Sequence, residues 1–419
     1  MVVDNAMREV IASIDIGSSN IKLVVGEMIN GELNILCAID EVSRGVKKGT
    51  IVEPEETEYA IKKILKQAED RLGVKIREAI VSVSEESADF KIGEASITIT
   101  NNDREVGPDD IMRVLQQSIK GQVDKEYELV TVIPIMFKVD DRKTRMPKNW
   151  HGDSLSVKSV IVSVPKRDVY TTAKVLEKCG VEVSDIMIDS IGSYYAHHNE
   201  STDTSTGVII DVGDETMKIA VFNKGIIINN LVLGLGGSKI DSDMSFVYKL
   251  APEQSRKIKE SLALANKRYA SSKEQEVVVN TEGEKVTINQ AELTELTMSR
   301  LHELLNMAKN EINYLTKKEI SYIIVTGGLT ELKDFPLEIE SVFGRIASMG
   351  KINIVGARDN KYAACVGMIK YFDYKLNLRD REYSIFNQDD LDTLCANSEK
   401  RIVSSDSLLG KVFGIFFDN

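Results

Sequence analysis

The sequence has few of the residues that mark disulfide-linked, metal-binding or nucleic-acid-binding proteins. Its four cysteines stand singly, without the spacing of a disulfide framework or of a CxxC metal motif. Lys and Arg number 53 against 65 Asp and Glu, and the resulting formal net charge of -12 argues against non-specific binding to nucleic acid. We therefore predict a chain that works in a reducing, cytoplasmic compartment and has no nucleic acid among its partners.

Long apolar runs and two common nucleotide motifs are also absent. No stretch approaches the roughly 18 apolar residues that a membrane-spanning helix needs. No apolar segment follows a basic N-terminal start, so we expect no signal peptide. GxxxxGK followed by Ser or Thr does not occur, which excludes a P-loop, and no GxGxxG follows a predicted strand. What remains is a chain of 419 residues, 42% hydrophobic and 28% charged, long enough for two or three domains.

An internal repeat organises this chain. The first copy comprises predicted strands at 10–16, 20–28 and 33–40, a helix at 55–72 and a strand at 77–84. The second copy comprises predicted strands at 207–213, 216–222 and 224–234, a helix soon after 238 and a strand at 320–325. Two copies of strand–turn–strand–strand–helix–strand indicate an α/β fold made of two related halves with a cleft between them.

Each half carries an insertion, and a polar stretch precedes the C-terminal tail. We assign the first core to 1–84, 163–192 and 359–375, its inserted α+β subdomain to 85–162, the second core to 193–239 and 320–358, and its inserted subdomain to 240–319. Residues 376–407 are predicted to be a polar, partly disordered linker, and 408–419 a separate tail.

The first turn of each copy has the same chemistry, Asp15-Ile16-Gly17 and Asp211-Val212-Gly213. A glycine lets main-chain N–H groups approach phosphate oxygens, and an aspartate at a strand end can hold Mg²⁺ directly or through water. For one such turn alone, plain hairpin geometry is the better explanation. Two copies at matching places favour a site that grips one triphosphate from both sides.

Further glycine-rich stretches fit the same cleft. GLGG (234–237) and Gly327-Gly328 follow strands of the second copy, although either is also compatible with an ordinary turn. Gly192 with Ala196, and Ala363 with Gly367, place small residues on one face of two helices, so these helices can cross closely. Tight packing without any functional role explains that pattern as well.

These motifs resemble those of the actin-like ATPase superfamily, which includes actin, Hsp70-type chaperones and sugar kinases. IDIGSSNIK is similar to its first phosphate motif, IIDVGDETMKIAVF to its second and VTGGL to its adenosine motif. The resemblance covers roughly residues 7–375 and implies a ribonuclease H-like, two-domain fold that binds ATP and Mg²⁺ in the cleft. The cofactor-binding residues that it implies are Asp15, Gly17, Ser18, Ser19, Asn20, Lys22, Asp211, Gly213, Asp214, Glu215, Thr216, Gly236, Gly237, Lys257, Glu260, Gly327, Gly328 and Leu329, with Asp15 and Asp211 as metal ligands.

The position of the first insertion narrows the resemblance. Only about fifteen residues, 41–55, separate the third strand from the helix, and the extra module follows the fourth strand instead. This placement, with the polar linker and the tail, is similar to the bacterial FtsA cell-division family. That family implies actin-like protofilaments, other division proteins as partners, and a site in the second insertion for the C-terminal peptide of the tubulin-like protein FtsZ. Arg300 lies in the region that resembles this site, where a plain surface arginine is an equal interpretation.

One departure bears on hydrolysis. The second phosphate turn of the family is commonly glycine-rich, whereas here it reads Gly213-Asp214-Glu215-Thr216. Two carboxylates repel a triphosphate unless they face solvent or the metal. Since no residue stands out as a base, the catalytic residue is left unassigned and we expect at most a slow ATPase.

The tail, LLGKVFGIFFDN, forms one apolar stripe if it is helical. The residues on that stripe are Leu408, Leu409, Val412, Phe413, Phe416 and Phe417. Burying each gains roughly 1.5–3 kcal/mol, while Gly410 and Gly414 each cost a helix about 1 kcal/mol. We therefore predict a segment that becomes helical only on an apolar surface, lying on the inner face of the cell membrane at the division site. Docking onto its own domain or onto a partner is the alternative.

We therefore predict an ATP-binding adaptor that polymerises on the membrane and tethers FtsZ there. The alternatives are a sugar or acetate kinase, which needs a base and an acceptor pocket, and a pilus-assembly ATPase, which needs no lipid anchor.

Overall fold

The computed structural model describes residues 9–391 and 393–394. The predicted tail, 408–419, lies outside this part of the chain, as do residues 392 and 395–407 of the predicted linker.

Apolar, β-branched runs build the first sheet. Its elements are β1 (Glu9–Ile16), β2 (Asn20–Ile29), β3 (Glu32–Val42), the short pair β4 (Val46–Lys47) and β5 (Thr50–Ile51), helix α1 (Pro54–Leu72) and β6 (Glu78–Val83). β2 pairs antiparallel with β1 and β3, and β6 runs parallel to β1. Helix α1 begins at a proline, where the missing N–H costs nothing, and ends at Gly73 in the left-handed conformation. Its buried face, which includes Ile61 and Ile64, covers one side of the sheet.

The first insertion is a small layered unit with its own core. Its elements are β7 (Asp89–Thr98), α2 (Pro108–Ile119), β8 (Tyr127–Val139), β9 (Arg142–Thr144) and β10 (Ser154–Pro165). The strands form an antiparallel sheet in the order β7-β10-β8-β9, and α2 lies across it. Ile111 and Val114 of α2 pack with Phe137 and Leu155 of the sheet, which gives the module a hydrophobic centre separate from that of the first half.

The chain then returns to the first half through α3 (Lys166–Lys178), β11 (Glu182–Ile188) and α4 (Asp189–His197). β11 adds a fifth strand beside β6, in parallel, and completes the order β11-β6-β1-β2-β3. The sequence did not indicate this strand, because EVSDIMI lacks a clear apolar alternation.

The second half repeats the first. Its sheet is formed by β12 (Thr206–Val212), β13 (Met217–Asn223), β14 (Ile226–Leu233), β17 (Tyr322–Thr326) and β18 (Ala347–Met349). Between β14 and β17 lie α5 (Ser238–Tyr248), α6 (Pro252–Leu262), the strand pair β15 (Gln275–Val279) and β16 (Lys285–Asn289), and α7 (Gln290–Leu315). Helix α8 (Phe335–Phe343) precedes β18, and α9 (Ala363–Arg379) follows it. The sheet order β14-β13-β12-β17-β18 matches the first sheet strand for strand, including which neighbours are parallel. The predicted duplicated two-domain fold is confirmed.

Helices α4 and α9 cross in direct main-chain contact between the two sheets. A Cβ atom on Gly367 would lie 1.6 Å from the carbonyl oxygen of Gly192, and one on Gly192 would lie 2.4 Å from that of Ala364. One large hydrophobic cluster surrounds the crossing and includes Tyr194, which stacks on Phe222 of β13. The small-residue pattern therefore predicted a real close crossing, and it holds the two halves at a fixed separation.

Residues 376–391 are more ordered than their polar composition predicts. Helix α9 continues to Arg379, and Ile385, Phe386 and Leu391 are buried against the core of the first half. The Ile385 N–H donates to the Val10 carbonyl oxygen at 2.9 Å. Residues 376–391 therefore belong to the folded first half, because a few apolar side chains among the charges are enough to dock them.

We predict that Gly367→Ala destabilises the fold, because the added methyl group forces α4 and α9 apart. Overpacking of this kind typically costs about 1–3 kcal/mol, and here the clash is with main chain that cannot rotate away. Thermal unfolding followed by circular dichroism measures the effect. Gly107→Ala is the control, since the nearest atom to its Cβ lies 3.8 Å away. Equal melting temperatures for the two variants would contradict the close crossing.

Candidate functional site

The turns that follow β1 and β12 face each other across one cavity between the two halves. Asp15 and Asp211 occupy equivalent places, since Asp15 pairs in register with Lys22 and Asp211 with Lys218. The cavity has a volume of about 440 Å³. The two predicted phosphate turns thus lie on opposite walls of a single cleft.

Most of the residues predicted from the sequence line this cavity. They are Asp15, Gly17, Ser18, Ser19, Asn20, Lys22, Asp211, Gly213, Asp214, Glu215, Thr216, Gly237, Glu260, Gly327, Gly328 and Leu329. Gly236 does not line it: a Cβ atom there would come within 2.4 Å of the Asp214 carbonyl oxygen, so this glycine packs behind the second turn. Lys257 does not line it either.

A buried ion pair forms part of the floor. Lys22 Nζ lies 2.9 Å from Asp15 Oδ2, and Ser82 Oγ donates to Asp15 Oδ1 at 3.1 Å. Burial raises the pKa of Asp15, but the charges of Lys22 and Lys218 outweigh burial and hold that pKa below its usual range. Asp15 is therefore ionised at neutral pH and keeps its lysine in place.

The equivalent lysine of the second half makes a different pair. Lys218 contacts Asp189, at the start of α4, rather than its register partner Asp211. Burial lowers the pKa of Lys218, but the charges of Asp189 and Asp211 reverse this effect and raise the pKa. Because Asp189 follows β11 of the first half, this ion pair ties the two halves together below the cavity.

Asp211 is the carboxylate best placed for a metal ion. It forms no ion pair with any described residue, whereas Asp15 is engaged by Lys22 and Ser82. The described residues contain no group of three or more acidic, His or Cys side chains that could enclose a metal. This donor set fits Mg²⁺, which usually keeps several waters and takes one or two carboxylates together with phosphate oxygens. Asp211 would hold the ion directly or through water, and Asp15 through water.

The two acidic residues of the second turn direct their charges towards protein groups. Arg256 donates to Asp214 Oδ2 at 2.7 Å and to Ser19 Oγ at 2.9 Å, so its guanidinium joins both turns. Glu215 accepts a hydrogen bond from the Lys48 N–H at 2.8 Å. Burial raises the pKa of Asp214, and Arg256 opposes that rise. These contacts offset the repulsion that two carboxylates would otherwise exert on a triphosphate.

Main chain without side chains forms another wall. Gly327 has a φ of +95°, and a Cβ atom there would lie 2.3 Å from Asp211 Oδ1. Beside it, a Cβ atom on Gly328 would meet nothing closer than 3.9 Å. A flat ring can therefore lie directly against this backbone.

Helix α6 presents Arg256, Lys259 and Glu260 to the cavity, and the prediction for Lys257 misses the phase of this helix. Residues at i, i+3 and i+4 share one face, whereas Lys257 lies about 100° around the helix from Arg256 and is exposed. Lys259 is buried, 2.7 Å from Asp241 Oδ1, and donates to the Gly237 carbonyl oxygen at 3.2 Å. In the sequence, the apolar Ile258 and Leu262 mark the side of α6 that packs on the core.

The sequence also missed a polar cluster at the rim. Asp40 accepts hydrogen bonds from Asn20 Nδ2 at 2.8 Å and from Tyr362 Oη at 3.0 Å, and Lys361 Nζ lies 2.9 Å from it. Asp40 and Lys361 line the cavity. They come from a strand and a short helical turn more than three hundred residues apart, so no local pattern connects them.

Arg300 lies in a separate groove of about 260 Å³ on the second insertion. The groove is lined by Asp243, Phe246, Val247, Leu296, Ser299, Arg300 and Glu303, and we call it the α5–α7 groove. Arg300 donates to both carboxylate oxygens of Asp243, at 2.6 and 2.8 Å, and to Glu303 at 2.6 Å. Phe246 is 88% exposed and Val247 55% exposed, which is unusual for apolar side chains of this size.

Within the described part of the chain, no helix has both the length and the apolar character needed to cross a bilayer. The predicted membrane residues of the tail lie outside that part.

Comparison with known sequences gives consistent matches. Residues 208–367 match the family described as Cell division protein FtsA, and residues 88–163 match the family described as SHS2 domain inserted in FTSA. The cell division protein FtsA of Bacillus subtilis (strain 168) is 29% identical over 367 residues, which cover 87% of this chain and 83% of the relative. That of Streptococcus pneumoniae serotype 2 is 26% identical over 276 residues, covering 66% and 60%.

Solved structures share the fold at low sequence identity. A PilM–PilN type IV pilus biogenesis complex gives a TM-score of 0.56 at 12% identity, covering 85% of this chain and 96% of that one. MreB5 of Spiroplasma citri bound to ADP gives 0.54 at 12% identity, covering 89% and 99%. The ethanolamine utilization protein EutJ of Carboxydothermus hydrogenoformans gives 0.53 at 14% identity, covering 86% and 89%.

One further acid lies behind the cavity, at the junction of the halves. Glu85 is 2% exposed and accepts hydrogen bonds from Ser190 Oγ at 2.9 Å and from Asn230 Nδ2 at 3.3 Å. Burial raises the pKa of Glu85 to about 7; Lys218 lowers it and the nearby charge of Asp189 raises it. Its charge therefore changes close to neutral pH.

We predict that Glu85 makes the fold less stable as pH rises. Between the ordinary pKa of 4.5 and about 7, the folded state holds a proton that the unfolded state has lost, so unfolding free energy falls across this window. In the wild type we expect this loss of unfolding free energy to be on the order of 2 kcal/mol. Glu85→Gln cannot ionise, so the loss should be absent from that variant. Urea unfolding at pH 5 and pH 8 measures it. The exposed Glu340→Gln serves as control, and parallel pH profiles for wild type and Glu85→Gln would contradict the assignment.

Proposed function

Because this chain belongs to the FtsA family of bacterial cell-division proteins, we propose that it binds ATP, polymerises on the cytoplasmic membrane and tethers FtsZ there. The observation that carries the proposal is the pair of equivalent Asp–Gly turns facing each other across one cavity. Such an arrangement fits a ligand with phosphates between two walls and a flat ring to one side.

ATP fits this cavity through complementary charge. Lys22 and Lys218 line its floor, and Arg256 and Lys259 line the wall formed by α6. Mg²⁺, held against the phosphates near Asp211, would neutralise the acidic residues on the walls and orient the phosphate groups. Ser19 and the turn glycines bind and orient the phosphates. Since Asp214 and Glu215 are held by Arg256 and Lys48, ATP serves in this proposal as a structural ligand or switch, with slow turnover at most.

The α5–α7 groove is the proposed site for the C-terminal peptide of FtsZ. Exposed Phe246 and Val247 offer an apolar surface, and Leu296 continues it on the facing helix. The groove carries two carboxylates, Asp243 and Glu303, against the one guanidinium of Arg300. Arg300 pairs with both carboxylates, so the three groups together keep one net negative charge. A short peptide with apolar side chains and a positive charge therefore fits the groove, since its positive charge offsets that net negative charge.

The tail is the proposed membrane anchor, at the inner face of the cell membrane. Six of its seven apolar residues would share one face of a helix, but the tail carries little positive charge, so a single copy binds lipid weakly. Polymerisation into an actin-like protofilament links many anchors, and linked anchors rebind at high effective concentration. Self-association and membrane attachment thus depend on each other in this proposal.

We predict that this chain carries purified FtsZ from the same organism to lipid vesicles. In co-sedimentation with phosphatidylglycerol-containing vesicles and Mg-ATP, the full chain should pellet with lipid and bring FtsZ with it. A chain truncated after Ser407 should lose both, because it lacks the apolar stripe. Phe246→Asp should still pellet but bring at least about tenfold less FtsZ, since it places a charge in the apolar part of the groove.

The matched control is Tyr314→Asp, which places the same charge at an exposed aromatic residue (80% exposed) near the other end of α7. Pelleting of the truncated chain with lipid would contradict the assignment of the tail as membrane anchor. Equal FtsZ recruitment by Phe246→Asp and Tyr314→Asp would contradict the assignment of the α5–α7 groove as the FtsZ site.

A further inference from the structure

We propose that helix α5 couples the nucleotide cavity to the α5–α7 groove, so that nucleotide binding tightens peptide binding and the reverse. This inference rests on the function proposed above and adds its regulation. It concerns one helix whose two ends belong to two different sites.

The N-terminal end of α5 is attached to the cavity. The helix begins immediately after Gly237, which lines the cavity wall. Asp241, in its first turn, is 4% exposed and lies 2.7 Å from Lys259 Nζ and 3.6 Å from Arg256 Nε. Both of these cations line the cavity, although Asp241 itself does not. Through Asp241, the position of α5 therefore depends on the positions of Lys259 and Arg256 in the cavity wall.

The C-terminal end of α5 forms one wall of the groove. Asp243, two residues after Asp241, holds Arg300 of α7 through the two hydrogen bonds described above. Phe246 and Val247 follow on the same helix. At 1.5 Å per residue, Phe246 lies only about 14 Å along the helix from Gly237. A small rotation or shift of a helix this short moves both ends together.

Arg256 spans the cleft beside Asp241. Its guanidinium joins Ser19 and Asp214 across the cleft, and its Nε lies 3.6 Å from Asp241 Oδ2. A nucleotide in the cavity offers Arg256 and Lys259 new acceptors between the same walls. These cations are then held by ligand on one side and by Asp241 on the other, which fixes α6 against α5.

Fixing α5 also fixes the wall that carries Phe246. Nucleotide binding then already includes the loss of conformational entropy that ordering this wall requires. A peptide that binds second loses less conformational entropy and therefore binds more tightly. Thermodynamic linkage requires the peptide to tighten nucleotide binding by the same factor. Couplings of this kind usually lie at fivefold or more.

The test measures both affinities on the full chain. A fluorescein-labelled synthetic peptide of the FtsZ C-terminus is titrated with and without saturating Mg²⁺ and a non-hydrolysable ATP analogue. A fluorescent ATP analogue is titrated with and without saturating peptide. We expect each ligand to tighten the other by about fivefold or more, and by equal factors.

Asp241→Asn separates coupling from binding. It keeps the shape of the side chain but removes the charge that senses Lys259 and Arg256. Each ligand should still bind, while the ratio of affinities with and without the other ligand should fall close to one. Ser242→Ala, an exposed neighbour on α5, should retain the wild-type ratio.

The outcomes are distinguishable. If both ligands bind wild type independently, the coupling is wrong while the proposed function stands. If Asp241→Asn keeps the wild-type ratio of affinities, the coupling is not transmitted through Asp241 and α5. If no peptide binds under any condition, the groove assignment fails and the coupling fails with it. Should Asp241→Asn not fold, hydrogen exchange of wild type decides: amides of 238–248 must exchange more slowly with nucleotide, and unchanged exchange overturns the proposal.

Discussion

The main-chain contact between α4 and α9 is the constraint on which the rest of the molecule depends. Gly192 and Gly367 allow two helices to touch where any side chain would separate them. Each helix is anchored to a sheet: Ser13 Oγ of β1 donates to the Cys365 carbonyl oxygen of α9 at 3.0 Å, and Tyr194 of α4 stacks on Phe222 of β13. The separation of the helices therefore sets the separation of the sheets, and with it the distance between the two turns that bound the cavity.

Buried charge supplies the second level of organisation. The Asp15–Lys22 pair stays within the first half, while the equivalent lysine of the second half reaches Asp189 across the boundary. This exchange of partners leaves Asp211 without an ion pair among the described residues and so available to a cation. The equivalent Asp and Lys of the second half thus differ in role from those of the first: Lys218 joins the two halves, and Asp211 faces the ligand.

The sequence predicts features that depend on neighbouring residues and misses those that depend on contacts between distant parts of the chain. The two hairpins and their turns were predictable because β-branched runs ended by Asp and Gly are local patterns, and their repetition removed the ambiguity of a single copy. Strands β11 and β18 were not, since each adds to a sheet edge through pairing with a distant strand. The role of Arg256 was missed for a related reason: its acceptors, Ser19 and Asp214, lie 237 and 42 residues away. The docked segment after α9 was missed because Ile385, Phe386 and Leu391 are too few among polar and charged residues to show a helical or strand period.

The central claim is that the cavity between the duplicated turns binds ATP. Its most direct test is isothermal titration of the full chain with ATP and Mg²⁺, comparing wild type with Gly327→Ala and Gly31→Ala. Both glycines have positive φ, so the backbone strain is matched, but only at Gly327 does the new methyl group meet Asp211. We expect wild type and Gly31→Ala to bind ATP alike and Gly327→Ala to bind it at least about tenfold more weakly, a loss of about 1.4 kcal/mol. Absence of ATP binding by the wild type, or equal binding by all three proteins, would contradict ATP binding in this cavity.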